Sequence, residues 1–173
     1  MRPAKRPFVI RGRNRYIIRV SGLSHLNARG EASMVDVSAK PVSWRAAVAR
    51  GEIRLAKATL RLIGRQRIAK GNVLAAARLA GILAAKKTGE LIPLCHPLPI
   101  THCEVNFETP KSADRIVITA SAKIAAQTGV EMEALTAVAV AALTIYDMCK
   151  AVDKKMIITG IKLLSKTKTI MKE

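Results

Sequence analysis

Aromatic residues are scarce in this chain: two Phe, two Tyr and one Trp in 173 residues, or 3%. Proteins that bind single-stranded nucleic acid usually stack bases on aromatic side chains. With only Phe8, Tyr16, Trp44, Phe107 and Tyr146 available, base readout is disfavoured and nucleic acid is not the expected partner. Cysteine is also sparse. Three cysteines cannot all pair within one chain, so a disulfide-stapled secreted scaffold is disfavoured and a reducing, cytoplasmic setting is expected. The longest near-apolar run, Ala134 to Tyr146, spans 13 residues. A membrane-spanning helix needs about 20, so no membrane partner is expected. The first 20 residues lack the apolar stretch of a secretory signal. There are no repeats and no Gly/Ser linker.

Acidic residues are few as well. Thirty Lys+Arg face 12 Asp+Glu, a formal net charge of +18. The excess is uneven: residues 1–70 hold 17 basic and three acidic residues, the remainder 13 and nine. Such a surface attracts polyanions, phosphorylated small molecules included. Half of the residues are hydrophobic, enough for one packed domain. The expected organisation is a basic N-terminal arm at 1–20 and a single domain at 21–173.

Patterning assigns the elements. A short strand is expected at Tyr16–Val20, a loop at Leu23–Gly30 and a strand at Met34–Val37. Val42–Leu55 reads equally as strand or helix. Ala56–Ile63 is helical by composition and stops at Gly64. Asn72 is a natural N-cap for a helix through Lys87. Gly89 fits a left-handed residue after it. The prolines of Glu90–Ile100 keep that stretch extended or looped. Ile100–Glu108 and Arg115–Ala122 alternate as antiparallel strands about a turn at Pro110–Asp114. Thr128 and Glu131 have capping-box spacing, opening a long Ala-rich helix to about Val152. A last strand is expected at Met156–Leu164, followed by a basic tail. Helices covering one face of an antiparallel sheet make an α+β domain.

Three groups of residues have chemical potential. Asp147 and Lys150, three apart on the long helix, are neighbours on one face. A helix so apolar should bury them and couple their proton affinities; an ordinary surface ion pair is the alternative. Glu133, 14 residues before Asp147, returns to within about 40° of it around the helix. Cys95, His96, His102 and Cys103 are spaced unlike zinc ligands, so no metal is expected. Arg45, Lys70, Lys86 and Lys87 are scattered cations, Lys70 just ahead of a helix N-terminus.

Several blocks carry a specific resemblance: Met34-Val-Asp-Val-Ser38, Ala85-Lys-Lys-Thr88, Leu91-Ile-Pro-Leu-Cys-His-Pro-Leu98, Thr128-Gly-Val-Glu-Met-Glu-Ala-Leu-Thr136 and the IYDMCKAV run ending at Val152. From about Leu23 to Lys166 the chain resembles the cyclic pyranopterin monophosphate synthase family of molybdenum-cofactor biosynthesis. The resemblance implies a ferredoxin-like α+β subunit. It implies a homohexamer, a trimer of dimers with active sites at the dimer interfaces. It implies a lyase that takes 3′,8-cyclo-7,8-dihydro-GTP to cyclic pyranopterin monophosphate, releases pyrophosphate and uses no cofactor. Carried over by motif, Asp147, Lys150 and Lys70 are the catalytic residues. Leu94, Cys95, His96, Glu131, Met132 and Glu133 contact substrate. Arg45, Lys86 and Lys166 suit its triphosphate. The chain departs from the family after Lys166, where a Gly-rich KSGGKSG-like segment is replaced by Thr-Lys-Thr-Ile-Met-Lys-Glu173. A glycine loop able to close over phosphates is missing, and Lys168 is expected to compensate in part.

Overall fold

The computed structural model describes residues 31–170. The basic arm, the strand expected at Tyr16–Val20 and the loop at Leu23–Gly30 lie outside the described residues. The chain divides into two units between Asp36 and Val37, and every helix and strand named below belongs to the second. Met34–Val37 forms no strand. Val37 instead opens a turn, its carbonyl accepting the Lys40 N–H at 2.9 Å.

β1 spans Ser43–Arg54, settling the ambiguous segment as a strand. Ser43, Ala47, Ala49, Gly51 and Ile53 are buried at alternate positions, a period of two that no helix produces. There follow α1 (Lys57–Gly64), α2 (Val73–Lys86), the short α3 (Thr88–Leu91), β2 (His102–Glu108), β3 (Arg115–Ala126), α4 (Glu131–Cys149) and β4 (Ile157–Ile170). The strands form one antiparallel sheet in the order β2-β3-β1-β4. Two βαβ halves interleaved in this way make the ferredoxin-like α+β arrangement, with α2 and α4 packed together on one face.

Small residues bring those layers close. Ala134, Ala137, Val138, Ala141 and Ala142 of α4 are buried against Ala47, Ala49, Ala120 and Ala122 of the sheet. Gly81 of α2 is where the two helices approach most tightly: a Cβ there would sit 2.8 Å from the Ala137 carbonyl oxygen. Aromatic scarcity thus has a structural counterpart, since an Ala/Gly interface leaves no room for rings. α4 is 19 residues long with a mean hydropathy of 1.5, enough by length and composition to cross a membrane. Its apolar residues are used within the fold as the core helix.

Helix ends follow local chemistry in part. Asn72 caps α2 as expected, its Oδ1 accepting the Ala75 N–H at 3.0 Å. At the other end Thr88, not Gly89, meets the open carbonyls, donating to Ala84 and Ala85 at 3.3 and 3.1 Å. Gly89 lies inside α3 rather than in a left-handed cap. It is a contact glycine: a Cβ would stand 2.9 Å from Pro97 Cα, so its smallness seats the Cys95–Pro97 loop. The capping box at Thr128 does not form. α4 starts at Glu131 with Val130 as its N-cap and no side-chain cap bond. Val130 is 1% exposed, and its insertion into the core sets the helix start two residues later than Thr128 would.

β4 runs six residues further than expected, through the basic tail to Ile170. Two irregularities interrupt its pairing with β1, at Val48/Ala49 and at Arg50/Glu52. Gly160, at φ +63°, supplies the left-handed backbone of the second. The first reverses which residues face the helices. Leu163 pairs with Ala49 and packs on the core, yet Lys166, three residues on, pairs with Ala47 on the same face. Without the extra residue, Lys166 and Lys168 would point to the opposite face of the sheet.

Gly81→Ala should destabilise the fold by about 1–3 kcal/mol, despite the better helix propensity of alanine. Gly64→Ala, at a site with nothing within 4 Å, should be neutral or stabilise by about 0.5 kcal/mol. Urea unfolding of the two variants measures the contrast.

Candidate active site

The loop before α2 reaches the C-terminal end of α4. Lys70 Nζ donates to Asp147 Oδ2 at 2.6 Å and to the Asp147 carbonyl at 3.0 Å. Lys150 Nζ sits 2.8 Å from the other carboxylate oxygen. Residues 77 apart in sequence thus complete a Lys–Asp–Lys cluster of which spacing showed only the Asp147–Lys150 half. The cluster is not buried, as an apolar helix had led one to expect. The Asp147 and Lys150 side chains are 55% and 57% exposed, on the outer side of a last turn whose inner side buries Cys149 in the core. Proton affinities are nonetheless shifted by hydrogen bonding. The Lys150 ammonium, and then that of Lys70, hold the Asp147 carboxyl down at about 2. The bond to Asp147 correspondingly raises Lys150. The carboxylate is thus held ionised between the two lysine side chains.

The Lys70 loop has its own anchor. Asp153, 8% exposed in the turn after α4, accepts the Ala56 N–H at 2.8 Å, the Thr59 hydroxyl at 3.1 Å and the Lys155 N–H at 3.1 Å. α1 has no side-chain cap of its own, so this carboxylate ties its start to the end of α4. Sequence reading missed Asp153. Its partners are up to 97 residues away, and no local signal marks it.

A second group gathers at the other end of α4. Glu133 is 3% exposed. Burial pushes its carboxyl pKa up; its own backbone bond opposes this and the charge of Glu131 adds to it. Cys95 is raised by burial and by the charge of Glu133, and the loop that carries it brings His96 to Gln127 and Thr128, just ahead of α4. His96 lines a cavity of about 340 Å³ together with Val42, Leu98, Gln127 and Thr128. Lys86 lines a neighbouring hollow of about 290 Å³ that shares Pro97 and Leu98 with it. Met132, at 37% exposure, stands outward on the same turn as Glu133. Freed from capping, Glu131 pairs with Lys166 at 3.0 Å. Arg45 donates through Nη2 to the Gln127 carbonyl at 3.1 Å, while its Nε is buried without a partner. Gln127 gave no sequence signal either. Among the described residues no three His, Cys, Asp or Glu side chains converge as a metal site.

All but one of the chosen residues therefore fall at the two ends of one helix, Lys86 lying nearby at the end of α2. The ends are not adjacent. Glu133 and Asp147 share a face, but 14 residues at 1.5 Å place them about 21 Å apart along the axis. Residues 34–169 match the MoaC family. The chain belongs to the MoaC family. Curated relatives agree over most of both chains, and each is named cyclic pyranopterin monophosphate synthase. The protein from Rhodospirillum rubrum is 58% identical over 146 residues, covering 84% of this chain and 88% of its own. That from Thermomicrobium roseum is 58% identical over 144 residues, covering 83% and 87%. That from Parvibaculum lavamentivorans is 56% identical over 145 residues, covering 84% and 91%.

Both carboxylates carry a pH signature. Glu133 has a raised folded pKa, so the folded state holds that proton more tightly than the unfolded chain. Its burial therefore costs stability progressively as pH rises from about 4, the unfolded value. Glu133→Gln should stabilise the fold relative to wild type at pH 8 and much less at pH 4, by urea unfolding. Asp147 has the opposite sign: its contribution is present above the unfolded value and lost as pH falls toward about 2. Lys150→Ala should move the Asp147 carboxyl titration upward, read by carbon-13 NMR.

Proposed function

We propose that this chain is a cyclic pyranopterin monophosphate synthase, a lyase of molybdenum-cofactor biosynthesis. It converts 3′,8-cyclo-7,8-dihydro-GTP to cyclic pyranopterin monophosphate and pyrophosphate. The observation that carries the reading is the meeting of Lys70 with Asp147 and Lys150, which assembles an acid–base cluster from separate sequence blocks. Opening the guanine-derived ring and rebuilding it as a pterin requires protons to be added and removed in turn. Asp147 accepts, and Lys70 and Lys150 donate and stabilise the charge that develops. Glu133, kept protonated to higher pH by burial, and His96 hydrogen-bond the heterocycle from the loop side, where Leu94, Cys95 and Met132 give it apolar contact. Closure of the cyclic phosphate joins a sugar oxygen to the innermost phosphorus. The bond to the next phosphate breaks, and pyrophosphate leaves with the electron pair. Arg45, Lys86 and Lys166 neutralise that leaving group. No step calls for a cofactor.

The separation of the two groups supports a shared site. A substrate that touches Asp147 and Glu133 together is best served by the C-terminal end of α4 from one subunit and the N-terminal end from another. Active sites at dimer interfaces, within a homohexamer built as a trimer of dimers, satisfy this requirement. We place the enzyme in the cytoplasm, with its nucleotide substrate.

Purified protein supplied with the cyclised dihydro-GTP should release pyrophosphate. Asp147→Asn or Lys150→Ala should each lower turnover at least about a hundredfold while leaving the protein folded. Near-wild-type turnover in both would overturn the acid–base assignment. Mixing Asp147→Asn subunits with Glu133→Gln subunits should restore about a quarter of wild-type activity, because half of randomly paired dimers carry one intact site. No recovery after subunit exchange would mean that each site lies within one chain.

A further inference from the structure

Like charges face each other across the sheet at three places where Arg or Lys pairs with Arg or Lys. Arg54 is opposite Arg115, Arg50 is opposite Lys162 and Arg45 is opposite Lys168. Side chains of such pairs lie about 5 Å apart at Cβ, and the repulsion is destabilising unless a counter-charge is present. Two of the three have one. Glu52 bonds Arg50 at 2.9 Å and Arg115 at 3.1 Å, and Asp114 bonds Arg115 at 2.9 Å. The pair Arg45–Lys168 has no carboxylate partner among the described residues. The nearby acid, Glu131, is engaged by Lys166. Arg45 also keeps Nε buried with no acceptor, and the Ser43 hydroxyl on the same face of β1 is likewise buried and unpartnered. Three cations against one carboxylate, with an unsatisfied guanidinium donor among them, describe a seat for a polyanion.

We infer that Lys168 is the third cation of this seat, beside Arg45 and Lys166, and that it binds the outer phosphates of the substrate and the departing pyrophosphate. The inference rests on the assignment of Arg45 and Lys166 to the triphosphate. It also explains the tail. Where the family has a glycine-rich segment, this chain continues β4 to Ile170. The extra residue between Leu163 and Lys166 turns Lys166 and Lys168 to the helix face, in register with Ala47 and Arg45. A strand paired to β1 thus presents the cation, so that less conformational entropy is lost on binding.

The test is calorimetric titration of the full-length protein with inorganic pyrophosphate. Lys168→Ala should weaken binding about tenfold. Lys168→Arg should bind within about twofold of wild type. Lys162→Ala, which removes the matching cation from the other face, should bind as wild type does. A second readout is thermal melting. Without pyrophosphate Lys168→Ala should melt no lower than wild type, because it relieves a repulsion; with pyrophosphate it should gain less. Wild-type affinity in Lys168→Ala together with weakened binding in Arg45→Ala would overturn the role of Lys168 and leave the phosphate assignment standing. Unchanged binding in both would overturn the two together. Equal weakening by Lys162→Ala would reduce the effect to overall charge and overturn the proposed seat.

Discussion

The packing of α4 against the sheet is the constraint from which the rest follows. Its alanines meet the alanines of β1 and β3, and Gly81 brings α2 onto its other side. That close approach fixes α4 as a rigid strut. Two groups of polar side chains gather at its ends. One end holds Asp147 and Lys150 and receives Lys70. The other holds Glu131 and Glu133 and receives the Cys95–His96 loop, Arg45 and Lys166. A strut of this length sets the two groups about 21 Å apart along its axis, and our proposal of a site shared between subunits rests on that rise per residue.

The two ends handle charge differently. At the Asp147 end the groups are exposed, and direct hydrogen bonds rather than burial shift their proton affinities. At the Glu133 end burial dominates and pushes the carboxyl the other way. Two carboxylates on one helix are therefore tuned in opposite directions, one held ionised and one held protonated to higher pH. In the reaction we propose, such divergence gives the two carboxyl groups different protonation states at one pH. Asp153 supports the first end from behind, fixing α1 and with it the start of the loop that carries Lys70.

Sequence patterning recovered most elements because their signals are local. Asn72 caps α2 through a bond three residues long, and alternation marked β2 and β3 before any partner was known. It failed where a distant contact outweighed a local preference. The Thr128 capping box lost to the burial of Val130. The left-handed role of Gly89 gave way to its contact with Pro97. The tail beyond Leu164 looked like a basic overhang because the residues it pairs with lie some 120 positions earlier.

By itself the sequence determined the α+β class and the family, because these depend on periodicity and on contiguous motifs. It also determined that Asp147 and Lys150 are neighbours, since three residues of helix place them so. The tertiary structure decided that Lys70 joins them, that the cluster is solvated while Glu133 is buried, and that Lys168 faces Arg45. Each of these turns on which surfaces meet across long stretches of chain, or on one extra residue that changes the facing of a strand. Neither is encoded in any window short enough to read.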